Sequence, residues 1–348
     1  MKLGIIGLPQ SGKSTIFAAL TGARGEDKPR KASRTDRMIG TVRVVDERVD
    51  FLTEVYKPKK TTYARVEYFL PSEIATGTMS KSENAIWNQI RICDALIHVI
   101  RNFQAPGEIA PTPEADFRHL EEEMILNDLV VVEKRIERIE KESKRGNKPD
   151  EEEYSLIKSC RELLENSQPL RVRPELASAP ALKGFTFLSA KPRLVIINND
   201  DEDESLPGWK LKPEAFETMV VRGRLEMDIA SMSPEEAEEF LEEYHIEQSA
   251  LDRVIKTSYS LLNLISFFTV LNQEVRAWTI TRGTPAIEAA GAVHSDMQKG
   301  FIRAEVLSFE HLKTYGSFQE AKKAGYVRLE GKGHTVQDGE IINFRFNI

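Results

Sequence analysis

Residues 7–14 read Gly7-Leu8-Pro9-Gln10-Ser11-Gly12-Lys13-Ser14, the pattern G-x-x-x-x-G-K-[ST]. Glycines at its ends let a backbone curl until successive N–H groups point inward at the oxygens of a phosphate chain. Lys13 would reach the terminal phosphates, Ser14 would offer its hydroxyl to Mg²⁺, and Thr15 completes the phosphate-binding stretch. The pattern alone also occurs in glycine turns that hold no ligand. Here the context is the required one. Lys2 to Ile6 is a short apolar run that reads as a buried strand, and Ile16 to Leu20 begins an apolar helix. The positive end of that helix would face the anion.

Two further stretches bear on what such a loop could do. Enzymes with this loop place an acidic residue at the end of a nearby strand, where it holds the Mg²⁺ shell. The strand at Val66 to Phe69 has the right position, but it runs into Leu70-Pro71-Ser72-Glu73, with no aspartate. Asp46 or Glu73 are the substitutes available, and without such a group hydrolysis should suffer. A second strand, Leu194 to Ile197, ends on Asn198-Asn199-Asp200-Asp201. GTPases read their base with N-K-x-D in this place. Asn198 and Asp201 occupy the Asn and acidic positions, while Asn199 replaces the Lys. Asp200 to Glu204 also admits a plain reading as a solvated acidic loop.

These residues must be held by a body large enough to bury a core. The chain has 348 residues, is 41% hydrophobic and carries a formal net charge of −7. That length supports two or three domains without metal or disulfide staples. Its two cysteines, Cys93 and Cys160, fit a reducing compartment, have no metal-ligand spacing and read as plain helical residues. No apolar run reaches the ~18 residues of a membrane span, and the N-terminus does not read as a signal peptide. Ala95 to Ile100 is a further buried strand, with His98 inside it as a core histidine rather than a catalyst. Asp27 to Arg37 reads as a basic loop that could touch RNA phosphates, or more plainly as a solvated loop near a triphosphate.

From Asp116 to about Gln168 the composition changes. Ile125, Leu129, Val132, Ile136 and Ile139 follow a 4, 3, 4, 3 spacing, a heptad seam. Gly146-Asn147-Lys148-Pro149 breaks it, and Tyr154, Ile157, Cys160 and Leu164 form one face of a second helix. The pair predicts an antiparallel helical hairpin projecting from the sheet domain. This stretch holds 15 acidic and 10 basic residues and so supplies most of the net charge, whereas Asn263 to Ile348 holds 9 and 10. Overall acidity therefore says little against that end meeting RNA. Ser233-Pro234-Glu235-Glu236 marks a helix start. From about Phe267 short strands follow, at Val275 to Ile280, Phe301 to Val306 and Ile341 to Phe346, with turns at Lys332-Gly333 and Asp338-Gly339.

Taken together, these residues resemble the YchF branch of the Obg-related P-loop GTPases along nearly the whole chain. The most specific segment is Glu274-Val275-Arg276-Ala277-Trp278-Thr279, then Lys299-Gly300-Phe301-Ile302-Arg303-Ala304-Glu305-Val306, then Val336-Gln337-Asp338-Gly339, which looks like the family's TGS-type β-grasp domain. Asp46, Arg48, Asp50 and Lys57-Pro58-Lys59-Lys60 look like it too. The resemblance implies an α/β protein: a P-loop NTPase sheet domain (1–115 and 185–262), an inserted antiparallel coiled-coil hairpin (116–184) and a C-terminal TGS-like β-grasp domain (263–348). It implies a cytoplasmic monomer, away from membranes, that binds ATP or GTP with Mg²⁺ and associates with ribosomes or RNA. The family's base motif is an N-x-x-E variant, and Asp201 stands where that Glu would be. Thr35 lies near the first-switch threonine that would join Ser14 on the metal.

The chain departs from the family at both switches. The second normally carries D-x-A-G and a glycine-rich run, and here Ile74 to Asn88 has only Gly77. The last base-contacting loop, S-A-x or similar in the family, reads Arg222-Gly223-Arg224. An intact phosphate loop beside eroded switches predicts nucleotide binding retained with hydrolysis weakened. The alternative is a non-hydrolysing nucleotide-binding adaptor. A metabolic P-loop kinase is disfavoured, because no acceptor-binding lid is evident.

Overall fold

A computed structural model describes residues 1–23, 30–31, 38–72, 86–104, 107, 109–208, 216–244, 246, 249–271 and 273–347. The chain forms two compact units, Met1–Thr41 with Glu67–Val254, and Val42–Val66 with Ile255–Ile348.

The first unit is built on a seven-stranded sheet. Its strands are β1 (Lys2–Ile6), β2 (Arg30–Lys31), β3 (Met38–Arg43), β5 (Arg65–Leu70), β6 (Ala95–Asn102), β7 (Arg193–Asn199) and β8 (Glu217–Val221), in the order β2-β3-β5-β1-β6-β7-β8. β1 lies parallel between β5 and β6, and β6, β7 and β8 continue in parallel. All seven residues of β7 are buried, as are the first six of β6. A sheet covered on both faces demands such continuous apolar runs. The helix α1 (Lys13–Ala23) starts inside the glycine loop itself.

Two longer helices, α3 (Pro113–Lys144) and α4 (Glu151–Glu165), follow β6. α3 begins three residues before the composition change at Asp116, because Pro113 supplies a preset first helical φ. Ile125, Val132 and Ile136 of α3 join Ile157, Cys160, Leu163 and Leu164 of α4 in one apolar cluster, with Leu129 and Tyr154 packed against it. Arg135 braces the pair with two hydrogen bonds to Glu153, of 2.7 and 2.6 Å. The root of α3 is fixed by charge. Glu121 accepts from Arg171 at 2.7 Å and from Arg193, the first residue of β7. Asp128, fully buried, accepts the N–H groups of Leu188 and Ser189 at 3.0 and 2.7 Å.

The second unit contains a six-stranded sheet in the order β12-β11-β13-β9-β10-β4. β9 (Leu264–Leu271) and β10 (Glu274–Thr281) form a hairpin. β11 (Phe301–Leu307), β12 (Arg328–Glu330) and β13 (Ile341–Phe346) complete it, apart from one strand from far upstream. That strand is β4 (Lys60–Thr62), which pairs in parallel with β10. Apart from the ends of β3 and β5, residues 42–66, including α2 (Glu47–Tyr56), therefore belong with the C-terminal unit rather than with the segment that ends at 115. A three-residue strand has too short a pattern to be read without its partner.

Cys93 is buried in the turn before β6 and is not helical, whereas Cys160 is buried in α4. His98 is a core residue on β6, with its ring stacked on Phe117 at 5.4 Å. Burial first, and then the charges of Arg193, Arg171 and Lys13, hold its pKa well below the usual histidine value. The unfolded chain takes up a proton near pH 6.5 that the folded chain refuses, so stability falls as pH drops below that value. Thermal melts from pH 7.5 to 5.5 should show this loss, approaching about 1.4 kcal/mol per pH unit. A His98→Gln variant should lose measurably less across the same range.

Candidate functional site

The glycine loop is a main-chain structure. Gln10 and Gly12 adopt positive φ of 61° and 89°, which turn the chain between β1 and α1. Lys13 is 8% exposed, and its Nζ donates to the carbonyl of Leu8 at 2.7 Å. The ammonium thus lies folded across the concave side of its own loop. Ser11 is also buried, and its Oγ has no hydrogen-bond partner among the described residues. Ser14 is exposed and Thr15 half-buried at the start of α1, whose first turn has no acidic residue to neutralise the helix end.

Asn198 ties this loop to the rest of the site. Its Nδ2 donates to the carbonyl of Ser11 at 3.1 Å, and its Oδ1 accepts the N–H of Gly223 at 3.0 Å. Gly223 opens the helix α5 (Gly223–Ser231). There is no space for larger residues around this carboxamide. A Cβ on Gly12 would lie 2.1 Å from Asn198 Nδ2, and one on Gly223 would lie 2.7 Å from Asn198 Oδ1. The glycine of Arg222-Gly223-Arg224 was therefore a legible signal, since only glycine lets the amide approach so closely.

Asp201 is exposed, and its Oδ1 accepts the N–H of Leu225 at 3.1 Å. Arg222 donates to the carbonyl of Asp201 at 3.3 Å and pairs with Glu204 at 2.9 Å. Asn199, in the place of the lysine, donates to the carbonyls of Asp203 and Ser205 at 3.0 and 2.8 Å and accepts from Asn102 at 2.8 Å. It shapes the 200–205 loop from beneath. Asp200 accepts the N–H of Gln104 at 3.2 Å. The stretch is thus an organised turn beside the glycine loop. Of these residues, Asn102 carried no motif, and Arg222 was read only as part of the last base-contacting loop.

Among the residues expected at a metal, Ser14 stands at the mouth of the loop beside Lys13. Mg²⁺ keeps several waters and takes one or two protein oxygens plus phosphates, so a hydroxyl placed there fits it. The expected carboxylate has no counterpart at the end of β5, where Leu70 is buried and Pro71 follows. Asp46 is committed elsewhere: it caps α2 and accepts from the backbone, Nε and Nη2 of Arg48 at 3.0, 2.9 and 2.8 Å. Thr35 and Glu73 lie outside the described residues, as does most of the basic stretch 27–37. Among the described residues no group of three or more His, Cys, Asp or Glu side chains could hold a metal.

Asn198→Ala would strip both bonds and leave the Gly223 N–H and Ser11 carbonyl buried without a partner. Each such group costs about 1–3 kcal/mol. Urea denaturation should report a loss of roughly 2–4 kcal/mol with an unchanged m-value.

The C-terminal residues 264–347 match the family model YchF-GTPase_C, described as "Protein of unknown function (DUF933)". A Bacillus subtilis (strain 168) protein named "Ribosome-binding ATPase YchF" is 39% identical over 364 residues, spanning 99% of both chains. Its namesake from Escherichia coli O157:H7 is 38% identical over 361 residues, spanning 100% of this chain and 99% of the relative. The solved structure "Structure of the Schizosaccharomyces pombe YchF GTPase" superposes with a TM-score of 0.84 at 28% identity, covering 99% of this chain and 97% of that one. Alignment from end to end at these identities, on a sheet order with the glycine loop after its central strand, places the chain in the YchF family.

Proposed function

We propose that this protein binds a purine nucleoside triphosphate with Mg²⁺ through Gly7 to Thr15, hydrolyses it slowly, and associates with the ribosome in the cytoplasm as a monomer. ATP is the favoured nucleotide, because the full-length relatives are named ribosome-binding ATPases. The observation that carries the reading is the glycine loop, bound through Asn198 to the loop after β8, with Lys13 resting on the Leu8 carbonyl. On binding, Lys13 would exchange that carbonyl for phosphate oxygens, and main-chain N–H groups with the start of α1 would take the rest of the charge. Ser14 would ligate the metal, whose charge offsets that of the phosphates. Asn198 would hold the base loop in place, and Asp201 would face the base with the carboxylate oxygen not given to Leu225.

The coiled-coil reading of 116–184 and the TGS-like reading of 263–348 make these segments the candidates for ribosome or RNA contact. The second reading, a non-hydrolysing adaptor, draws support from Leu70-Pro71 at the end of β5.

Calorimetry with ATP, GTP and their diphosphates, with and without Mg²⁺, tests binding and base choice. Lys13→Ala should weaken triphosphate binding roughly 10- to 100-fold, the worth of a charged hydrogen bond of about 1.5–3 kcal/mol. A phosphate-release assay separates the two readings. Slow turnover above that of Lys13→Ala supports the ATPase, whereas ATP bound with turnover equal to that variant replaces it with the adaptor.

A further inference from the structure

One helix of the first unit is amphipathic, yet its apolar face is at most half-buried among the described residues. α6 (Pro234–Glu243) starts with a capping box: the Ser233 hydroxyl accepts the Glu236 N–H at 3.2 Å, and the Glu236 carboxylate accepts the Ser233 N–H at 2.9 Å. Ala237, Phe240, Leu241 and Tyr244 recur at the spacing of one helical face. A face of that kind normally sinks into a core. Here none of the helix's described residues is buried, and Tyr244 is 60% exposed. The Phe240 and Tyr244 rings stack on each other at 4.3 Å, the first half-buried and the second exposed, so the aromatic pair presents its Tyr244 end to solvent.

The rest of the helix is acidic without relief. Glu235, Glu238, Glu239, Glu242 and Glu243 have no cationic partner among the described residues. Three pairs of them, 235 with 239, 238 with 242 and 239 with 243, stand four residues apart, where like charges oppose the helix. Glu242 and Glu243 also sit at its negative end. The cap holds the helix together against this repulsion, and burial contributes little.

We propose that α6 is a docking face for a basic amphipathic segment of another protein. Such a segment would lay apolar side chains on the Phe240–Tyr244 ridge and set Lys or Arg against the flanking carboxylates. It would cover the exposed Tyr244 ring and the open part of Phe240 and relieve the like-charge pairs at once. The same carboxylates would repel a nucleic acid, whose phosphates have their own sign. The inference stands apart from the nucleotide site and does not depend on hydrolysis.

The probe is a fluorescein-labelled 16-residue peptide with Leu at helical i, i+3, i+4 spacing and Lys or Arg elsewhere, read by anisotropy against the full chain at 150 mM salt. Glu239→Lys with Glu243→Lys should weaken it about tenfold or more, and Tyr244→Ser should weaken it comparably. The control, Glu133→Lys with Glu140→Lys on α3, makes the same change in net charge and should leave the affinity within about twofold. Circular dichroism and ATP calorimetry confirm that each variant is folded. Three outcomes overturn the proposal: a control that loses as much as the α6 variants, α6 variants that bind the peptide as the parent does, or a labelled 16-nucleotide RNA, tested without the peptide, that binds the parent chain and loses affinity in Tyr244→Ser.

Discussion

The carboxamide of Asn198 holds together three segments that the chain delivers from far apart. It donates to the loop after β1, accepts from the loop after β8, and is itself the sixth residue of β7. An amide can do this because it presents a donor and an acceptor on one planar group, and at 4% exposure it has no water to fall back on. Aspartate would keep the acceptor and lose the donor, and leucine would lose both. The requirement then spreads outward. Gly12 and Gly223 must lack a Cβ because the amide occupies that space, and β7 must be set in register between β6 and β8.

The opposite end of β7 is held by charge instead. Arg193 is 1% exposed and meets Glu121, which also takes Arg171. Burying an arginine costs several kcal/mol of hydration, and the bond to the carboxylate offsets that only with close geometry. Burial by itself would raise the pKa of Glu121, but the two guanidiniums overcome it and hold the carboxyl below its ordinary range. Glu121 therefore stays ionised and anchors the root of α3 to β7. Asp128 works differently. It turns its carboxylate onto two backbone amides of the segment leading into β7, with Arg91 at 3.2 Å, while burial pushes its pKa up. One strand thus ends in a hydrogen-bonding hub on the nucleotide side and begins at an ionic anchor below the helical pair.

Much of this was legible because it is local. The glycine loop is a contiguous pattern between a strand and a helix. β6 and β7 are unbroken apolar runs, and the 4, 3, 4, 3 seam on α3 needs no partner to be seen. What escaped was non-local. β4 has three residues, of which none is buried, and becomes a strand only by pairing with β10 more than 200 residues later. Asp46 reads as a free carboxylate until α2 is seen to start at the next residue. Asn199 looks like an eroded lysine of a base motif, yet its amide is what shapes the turn carrying Asp201. In each case the residue's role is set by a hydrogen-bond partner, and composition does not name partners.

The division between an intact loop and a missing carboxylate has a physical logic. Phosphate binding is made mostly of main-chain N–H groups and a helix end, so it survives wherever φ values and close approaches survive. Gly12, Gln10 and the Asn198 tie preserve them. Positioning a metal shell and an attacking water relies on particular side chains at strand ends, each replaceable without disturbing the sheet. At the end of β5 that replacement adds to the core: Leu70 is 7% exposed and contributes apolar burial where a carboxylate would need a metal or a cation nearby. Pro71 then removes a backbone donor from the same spot. A buried leucine at this position needs no metal or cation to hold it, so the end of β5 packs without the acid while the glycine loop keeps its own main-chain support.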